Sequence, residues 1–307
     1  MSTTRVSFGS VAQLSLYQLE QAQSRLQDLQ SQLTTGQAIN KPSDNPGAAV
    51  QALSYQSEMA RSKQYSTNVT DGLGWLGRAD SILSDVQTQL QRASSLAVEG
   101  ANASVDQAGR NAIATEIDGI RTGLLSDANT SYLNRPLFGG TSAATAYNTT
   151  TGAYQGDNNT VSRTVAPATT VQINVTGPSV FGADTVPGPG GTTIPNPNNV
   201  FNVLSQLSTD LKAGNIAGIN TDQTALSSAI SNVSDSQAVV GARYNQLQAA
   251  QTQLTTQQSS LQTTLASLVN VDFAKAATDF TLQNNVYQAA LKATSMVMQQ
   301  SLVNFIQ

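Results

Sequence analysis

The chain has 307 residues, a formal net charge of −4 and only 11% charged residues, against roughly 25% in an average soluble protein. This acidic balance, without clusters of Lys and Arg, argues against a nucleic-acid partner. Because the sequence contains neither Cys nor His, it lacks thiol nucleophiles, histidine bases, disulfides and the commonest zinc ligands, and we expect no catalytic residues, no cofactor and no metal.

The N-terminal segment, residues 1–10, lacks the basic region and apolar core of a secretory signal. No run of about 18 apolar residues occurs anywhere in the chain, so no membrane span is predicted. If the protein leaves the cell, we therefore expect an export route without a cleaved signal of that type.

The first predicted helix has an apolar stripe in which steps of three and four residues alternate, as in a coiled coil. Its members are Leu19, Ala22, Leu26, Leu29 and Leu33. A stripe of this width predicts that the helix packs against at least one other helix.

The segment after this helix is predicted to form a rigid elbow. Gly36 suits a helix C-cap, while Asn45 suits the N-cap of the next helix and Pro46 its first position. Asp44 can accept hydrogen bonds from free amides of the turn. Pro42 restricts the backbone at the start of the same segment.

Two further helices are predicted before the middle of the chain, because residues 47–135 contain no proline. The first has the stripe Leu76, Ala79, Leu83, Val86, Leu90, Ala93 and Ala97. After a polar break near residues 100–109, the second presents Ile113, Ile117, Ile120 and Leu124.

The middle of the chain has a different composition. Seven of the nine prolines lie between Pro136 and Pro197, in a stretch rich in Gly and Thr. Val171, Ile173 and Val175 alternate with polar residues, which is the two-residue period of a strand. We predict a small β-rich insert over residues 136–199.

The longest stripe follows the insert. It comprises Leu226, Ile230, Val233, Gln237, Val240, Tyr244, Leu247, Gln251, Leu254, Gln258, Leu261, Leu265 and Leu268. Its three glutamines either fix the helix register by hydrogen bonds, as buried polar positions do in coiled coils, or mark a locally wet seam. These stripes predict an antiparallel bundle, although a bundle without any assembly role would show the same pattern.

The last helix carries an apolar face almost to the end of the chain. Its members are Phe280, Tyr287, Leu291, Met298, Leu302 and Phe305. Such a face must be buried or it promotes aggregation. We expect it to pair with Leu19, Leu26, Leu29 and Leu33 and with neighbouring copies, forming an assembly seam whose helices are loosely ordered before assembly.

The predicted fold is therefore mainly α. It is an elongated antiparallel helical bundle or coiled coil, with paired N- and C-terminal helices and a small β-rich insert. The two ends of the chain, which are far apart in sequence, form one pair.

The elbow carries a family resemblance. Thr-Gly at residues 35–36, Ile-Asn at 39–40 and Pro-Ser-Asp-Asn-Pro at 42–46 resemble the elbow of the flagellin superfamily. With amphipathic ends and a central insert, the resemblance covers about residues 1–140 and 200–307.

Within that superfamily the chain is most similar to the branch that joins the flagellar hook to the filament. Phe-Gly-Gly-Thr at residues 138–141, Tyr-Gln-Gly-Asp at 154–157 and Gly-Pro-Ser-Val-Phe at 177–181 resemble segments of that branch. Asn-Arg-Pro-Leu-Phe at 134–138 instead reads partly like a flagellin, so a filament subunit remains the alternative.

The resemblance implies three layers. Residues 1–40 and 270–307 would form an inner terminal coiled coil, residues 41–135 and 200–269 a helical rod, and residues 136–199 an outer β-rich domain. It also implies a non-enzymatic, extracellular subunit of the bacterial flagellum, exported unfolded by the flagellar type III apparatus.

The implied partners are neighbouring copies of the chain, other hook-associated proteins and flagellin, with an export chaperone on the C-terminal segment. The resemblance includes neither nucleic acid nor membrane among them. A third reading, a surface adhesin presented on a coiled-coil rod, is compatible with the Thr- and Asn-rich insert, but no ligand-specific motif supports it.

Overall fold

The computed structural model describes the backbone of residues 8–187 and 192–306, and their side chains except those of residues 8–12 and 297–306. In chain order the elements are α1 Phe8–Thr35, α2 Pro46–Ala101, α3 Gln107–Ala128, β1 Ser131–Tyr132, β2 Arg135–Pro136, β3 Ser162–Ala166, β4 Thr169–Gln172, α4 Gly177–Phe181, β5 Thr185–Pro187, β6 Thr193–Pro195, α5 Val200–Ala213, α6 Ile216–Val269 and α7 Phe273–Ile306. The prediction of a mainly α-helical chain with a small β-rich insert is confirmed.

The chain divides into two compact units. The terminal unit contains the described residues up to Arg61 and from Gln258 onward, and the central unit is Ser62–Gln257. Helices α2 and α6 each have one part in the terminal unit and the other part in the central unit.

In the central unit, α2 and α6 run antiparallel in a single register. Gln237 donates from Nε2 to Asp80 Oδ1 at 3.1 Å, and Gln251 donates from Nε2 to Ser66 Oγ at 3.2 Å. Moving fourteen residues along one helix therefore moves fourteen residues back along the other. Of the two alternatives for the seam glutamines, these two side chains support hydrogen-bonded register.

The predicted stripe of α2 is the core of this unit. All seven members, from Leu76 to Ala97, are buried, and so are Trp75, Ile82 and Leu96 outside the stripe. Other elements also contact α2: α3 through an ion pair of 2.7 Å between Arg92 and Glu116, and β1 through the Tyr132 ring, which lies 6.0 Å from the Trp75 ring.

Helix α5 completes the helical layer against α3. Lys212 Nζ lies 2.8 Å from Asp118 Oδ2, and Ser208 Oγ donates to the Ala114 carbonyl. Asn199 caps the start of α5 through its side chain, and Gly214 ends it in the left-handed conformation, which glycine adopts without steric cost.

The described residues form three antiparallel two-stranded sheets, β1–β2, β3–β4 and β5–β6. Strand pairing begins at Ser131, five residues before the predicted start of the insert at Pro136. Val171, Ile173 and Val175 are all buried, as their alternation predicted, although β4 ends at Gln172. Aromatic rings connect the insert to α5: Phe138, Tyr147 and Phe181 of the insert and Phe201 of α5 meet with centroid distances of 5.0 to 5.5 Å.

Candidate assembly interface

The candidate interface is built on the pairing of α1 with α7 in the terminal unit. The Ala38 N–H donates to the Val269 carbonyl at 2.7 Å, and the Val271 N–H donates to the Gly36 carbonyl at 3.0 Å. Further along, Gln283 Nε2 donates to the Ala22 carbonyl at 3.2 Å. Because sequence numbers fall on α1 as they rise on α7, the two helices are antiparallel.

Helix α1 turns its predicted stripe toward α7. Ala22, at the centre of the stripe, is 8% exposed. Leu19, Leu26, Leu29 and Leu33 are all half-buried. The structure therefore brings the four predicted leucines onto one contact face, but it does not enclose them.

On α7 the predicted seam residues separate into three groups. Phe280 and Tyr287 are half-buried, whereas Leu291 is 42% exposed. The side chains of Met298, Leu302 and Phe305 lie outside the described residues.

A second apolar stripe on α7 was missed by the sequence reasoning. Steps of four, three, four and three residues connect Leu282, Val286, Ala289, Ala293 and Met296, and all five are exposed. Leu282 and Met296 are 63% and 65% exposed. The spacing could have revealed this stripe, because it repeats the coiled-coil period two positions after Phe280.

Helix α1 also leaves large apolar side chains uncovered near its start. Leu14, Leu16 and Tyr17 are 57%, 45% and 59% exposed. After Asp279, α7 carries a single charge, Lys292. Exposed apolar surface with so little charge is typical of a protein–protein contact.

The elbow joins α1 to α2 beside the start of α7. Gly36 has a φ of +72°, a left-handed conformation that favours glycine. A Cβ at Gly36 would lie 3.4 Å from the Phe273 ring, in ordinary van der Waals contact, so the left-handed backbone and not a lack of space favours glycine here.

Side-chain caps hold the rest of the elbow. Asp44 Oδ2 accepts from the Asn40 and Lys41 amides at 3.0 and 2.8 Å. Asn45 Oδ1 accepts from the Ala48 amide at 3.1 Å, and Pro46 is the first residue of α2. Pro42 lies exposed in the turn.

The three segments that resemble the hook–filament branch, residues 138–141, 154–157 and 177–181, contact one another. Asp157 accepts from the Thr141 amide at 2.8 Å and from its hydroxyl at 2.7 Å, and these bonds lower the pKa of Asp157. The Phe138 carbonyl accepts from the Gly177 amide at 2.8 Å and from the Tyr154 hydroxyl at 3.0 Å. Hydrogen bonds therefore connect the three segments within the folded insert.

Two other features bear on function, namely membrane-spanning helices and metal sites. Over residues 8–187 and 192–306, no helix is both long and apolar enough to cross a membrane. In the same described ranges, no group of three or more Asp or Glu side chains is placed to hold a metal ion.

The terminal pair and the elbow correspond to a known class of filament-forming proteins. Residues 7–143 match the bacterial flagellin N-terminal helical region, and residues 223–306 match the bacterial flagellin C-terminal helical region. Together these matches cover more than half of the chain, so the chain belongs to the bacterial flagellin family.

Two curated relatives are similar over most of their length. Flagellar hook-associated protein 3 of Salmonella typhimurium is 26% identical over 313 residues, covering 97% of this chain and 98% of that protein. Flagellar hook-associated protein 3 of Escherichia coli is 27% identical over 277 residues, covering 85% of this chain and 87% of that protein.

Solved structures share the fold. A flagellar hook-associated protein from Vibrio parahaemolyticus has a TM-score of 0.65 at 22% identity, covering 74% of this chain and all of that one. FlgL of Xanthomonas campestris has a TM-score of 0.60 at 18% identity, covering 69% of this chain and 99% of that one.

Proposed function

We propose that this protein is the structural subunit that joins the hook of the bacterial flagellum to its filament, and that it assembles through its terminal helices. The observation that carries the proposal is the second stripe of α7, which a single copy leaves uncovered. The relatives favour a junction over a filament subunit, because two proteins named flagellar hook-associated protein 3 align with nearly the whole chain.

The occupant of this stripe is a neighbouring copy of the same chain. Leu282, Val286 and Met296 offer apolar contacts at coiled-coil spacing on one face of α7, while Phe280 and Tyr287 on the other face are half-buried in the single copy. Two faces on one helix allow one partner within the chain and a second one from outside.

The three layers are part of the proposal. Residues 1–40 and 270–307 form the inner coiled coil, residues 41–135 and 200–269 the rod, and residues 136–199 the outer domain. Support comes from the antiparallel terminal pair and from the contacts that Phe138, Tyr147 and Phe181 make with one another within the insert.

The proposed partners are neighbouring copies, other hook-associated proteins and flagellin, and the proposed location is outside the cell. Export proceeds without a cleaved signal peptide, and a chaperone covers the C-terminal segment beforehand. The uncovered stripe supports a chaperone, since it is exposed before assembly. The role is mechanical and involves no catalysis.

Leu282→Asp tests the assembly face. A charge in a buried helix contact costs several kcal/mol, so we expect the variant to lose filament attachment in cells. The purified chain should keep its unfolding transition, because Leu282 is exposed in the single copy. Asn285→Asp, an equal charge change at an exposed polar position of α7, is the control and should attach filaments normally.

Normal filaments in the Leu282→Asp variant would contradict the stripe assignment. A gene deletion separates junction from filament: we expect electron microscopy to show intact hooks without filaments and flagellin shed into the medium. A deletion strain whose hooks still carry filaments would overturn the junction role.

A further inference from the structure

A groove of about 470 Å³ lies in the central unit between α6 and the insert. Most side chains along it carry amides or hydroxyls, among them Asn158, Thr160, Gln172, Thr176, Asn232 and Ser236. Its volume falls within the range of about 300–1,000 Å³ that small-molecule sites occupy. No part of the assembly interface contributes to it.

Arg243 of α6 is the positive charge of this groove. Its Nη1 donates to the Asn174 carbonyl at 2.7 Å and its Nη2 to Gln172 Oε1 at 3.1 Å. Neither acceptor is charged, and within the described ranges no carboxylate pairs with Arg243. A guanidinium has five N–H donors, so Arg243 is held rigidly while donors remain for an anion.

Burial strengthens this preference for an anion. Arg243 is half-buried, and desolvation lowers its pKa, although a guanidinium still remains charged. A partly desolvated cation without a carboxylate partner gains more from a bound anion than an exposed one does. Carboxylates match its planar donors in a bidentate geometry.

The backbone beside the groove is already engaged. The Asn174 carbonyl accepts from Arg243 and also from Gln172 Nε2 at 3.0 Å, and the Ile173 amide donates to the Val161 carbonyl at 2.8 Å. A peptide added as an extra strand needs free backbone groups at a sheet edge. Recognition in this groove must therefore use side chains.

Asn232 and Asp235 lie toward the other end of the α6 lining, and Asp235 is its carboxylate. It precedes Arg243 by eight residues, which corresponds to roughly 12 Å along a helix. Ser236 and Val239 lie between them on the same face of α6. The groove thus offers an anion-binding end, a middle with hydroxyl and apolar groups, and a carboxylate that accepts hydrogen bonds.

We propose that this groove binds an acidic carbohydrate of about two sugar rings, with its carboxylate on Arg243. Amides such as Asn232 bond to the ring hydroxyls, and Asp235 accepts from hydroxyls of the distant ring. Val239 contacts the C–H face of the sugar. This binding function is separate from assembly and would add recognition of acidic glycans to a structural subunit.

The test is a nuclear magnetic resonance titration of the full ¹⁵N-labelled chain with digalacturonate and with its neutral analogue galactobiose. We expect saturable shifts of groove amides with a dissociation constant of about 1 mM for the acidic sugar, and at least about tenfold weaker binding of the neutral one. Asn232→Ala should weaken digalacturonate binding several-fold, because it removes sugar contacts. Asp235→Ala should weaken the binding of neutral galactobiose several-fold, because it removes a hydrogen-bond acceptor and, with an uncharged sugar, relieves no repulsion.

Arg243→Lys keeps the charge but loses the fork of donors, and should weaken binding about tenfold. Because Arg243 also supports the insert, the Asn232 and Asp235 variants test the groove independently of that support. Gln246→Ala, exposed on α6 outside the groove, is the matched control and should bind as the unaltered chain does.

Three results would overturn the proposal. One is the absence of saturable groove shifts at about 20 mM digalacturonate. Another is equal binding of galactobiose, which would remove the role of Arg243. The third is tighter binding of an acidic tripeptide than of digalacturonate, which would assign the groove to peptides.

Discussion

The helix pair α2–α6 of the central unit and the pair α1–α7 of the terminal unit carry the same spacing of apolar residues but differ in burial. Leu83 and Leu90 of α2 have no exposed surface, whereas Leu19 and Leu26 of α1 are only half-buried. In the central unit, further helices and the insert surround α2. In the terminal unit, the four seam leucines of α1 each remain partly exposed.

The difference shows that a coiled-coil stripe predicts pairing and not depth of burial. A stripe becomes a core when other layers cover its flanks. Where those layers are missing, the same stripe is left with a surface that another copy of the chain can cover. The central unit is therefore built to be stable by itself, and the terminal unit is built to associate.

The largest expected difference between the two helix pairs is in the free energy of unfolding that is lost when a leucine is replaced by alanine. Leu83→Ala should lower the free energy of unfolding of the central unit by about 2–5 kcal/mol, as buried leucines do. Leu26→Ala should cost about 1 kcal/mol, because Leu26 is half-buried and buries less apolar area. Denaturant titration measures both.

Two probes separate the units in this experiment. Trp75, the one tryptophan of the chain, is buried in the central unit, so its fluorescence reports that unit, while circular dichroism reports all helices. Leu83→Ala should shift the fluorescence transition and Leu26→Ala should leave it in place. Equal shifts of the fluorescence transition would contradict the comparison.

A second experiment tests how closely α2 packs against α6 and the insert in the central unit. A Cβ on Gly72 would lie 2.7 Å from Leu247 Cδ1 and 3.1 Å from Ile173 Cγ2, so Gly72→Ala should cost about 1–3 kcal/mol through overpacking. Gly241→Ala on α6 is the control, because a Cβ there meets no atom within 4 Å. It should stabilise by about 0.5–1 kcal/mol, and a stabilising Gly72→Ala would disprove the tight contact.

The smallest expected effect concerns a carboxyl pair in the central unit. Asp210 and Asp222 are each 7% exposed, and Asp222 Oδ2 has no hydrogen-bond partner in the described structure. Burial, with the neighbouring Asp210 carboxylate, raises the pKa of Asp222 from 3.8 to about 7. The folded chain thus binds this proton more tightly than the unfolded chain does.

The proton on Asp222 makes the free energy of unfolding depend on pH. Between about pH 4 and pH 7 the folded state holds more protons, so its free energy of unfolding falls as pH rises and is constant above that range. Asp222→Asn should flatten this profile and raise stability at pH 8 by roughly 1–2 kcal/mol. An unchanged profile, followed by Trp75 fluorescence, would show that the pair does not control it.

Much of the fold could be predicted from the sequence because its signals are local. The stripe from Leu76 to Ala97 is entirely buried, and the proline-rich stretch folds as the insert. Other features depended on distant residues. Trp75, Ile82 and Leu96 are buried outside the stripe, and Trp75 meets the ring of Tyr132 in β1, a contact that no periodicity in α2 could reveal.

The candidate interface was predictable only in part, for the same reason. The four predicted leucines of α1 are half-buried and Leu291 is 42% exposed in the single copy, and their role as an assembly seam stays a prediction. The stripe from Leu282 to Met296 was not recognised. Which stripe of α7 meets α1 depends on the rotation of the helix about its axis. Packing against the partner sets that rotation.

The sequence by itself determined the long helices, the turn between α1 and α2 and the position of the insert, because helix period, capping and proline act over a few residues. Only the tertiary structure decided which faces are closed, how α6 registers on α2, and that Arg243 and Asp235 share a groove with the insert. Burial and pairing depend on contacts between residues that are far apart in the sequence. The local sequence pattern of either residue does not indicate which distant residue it contacts.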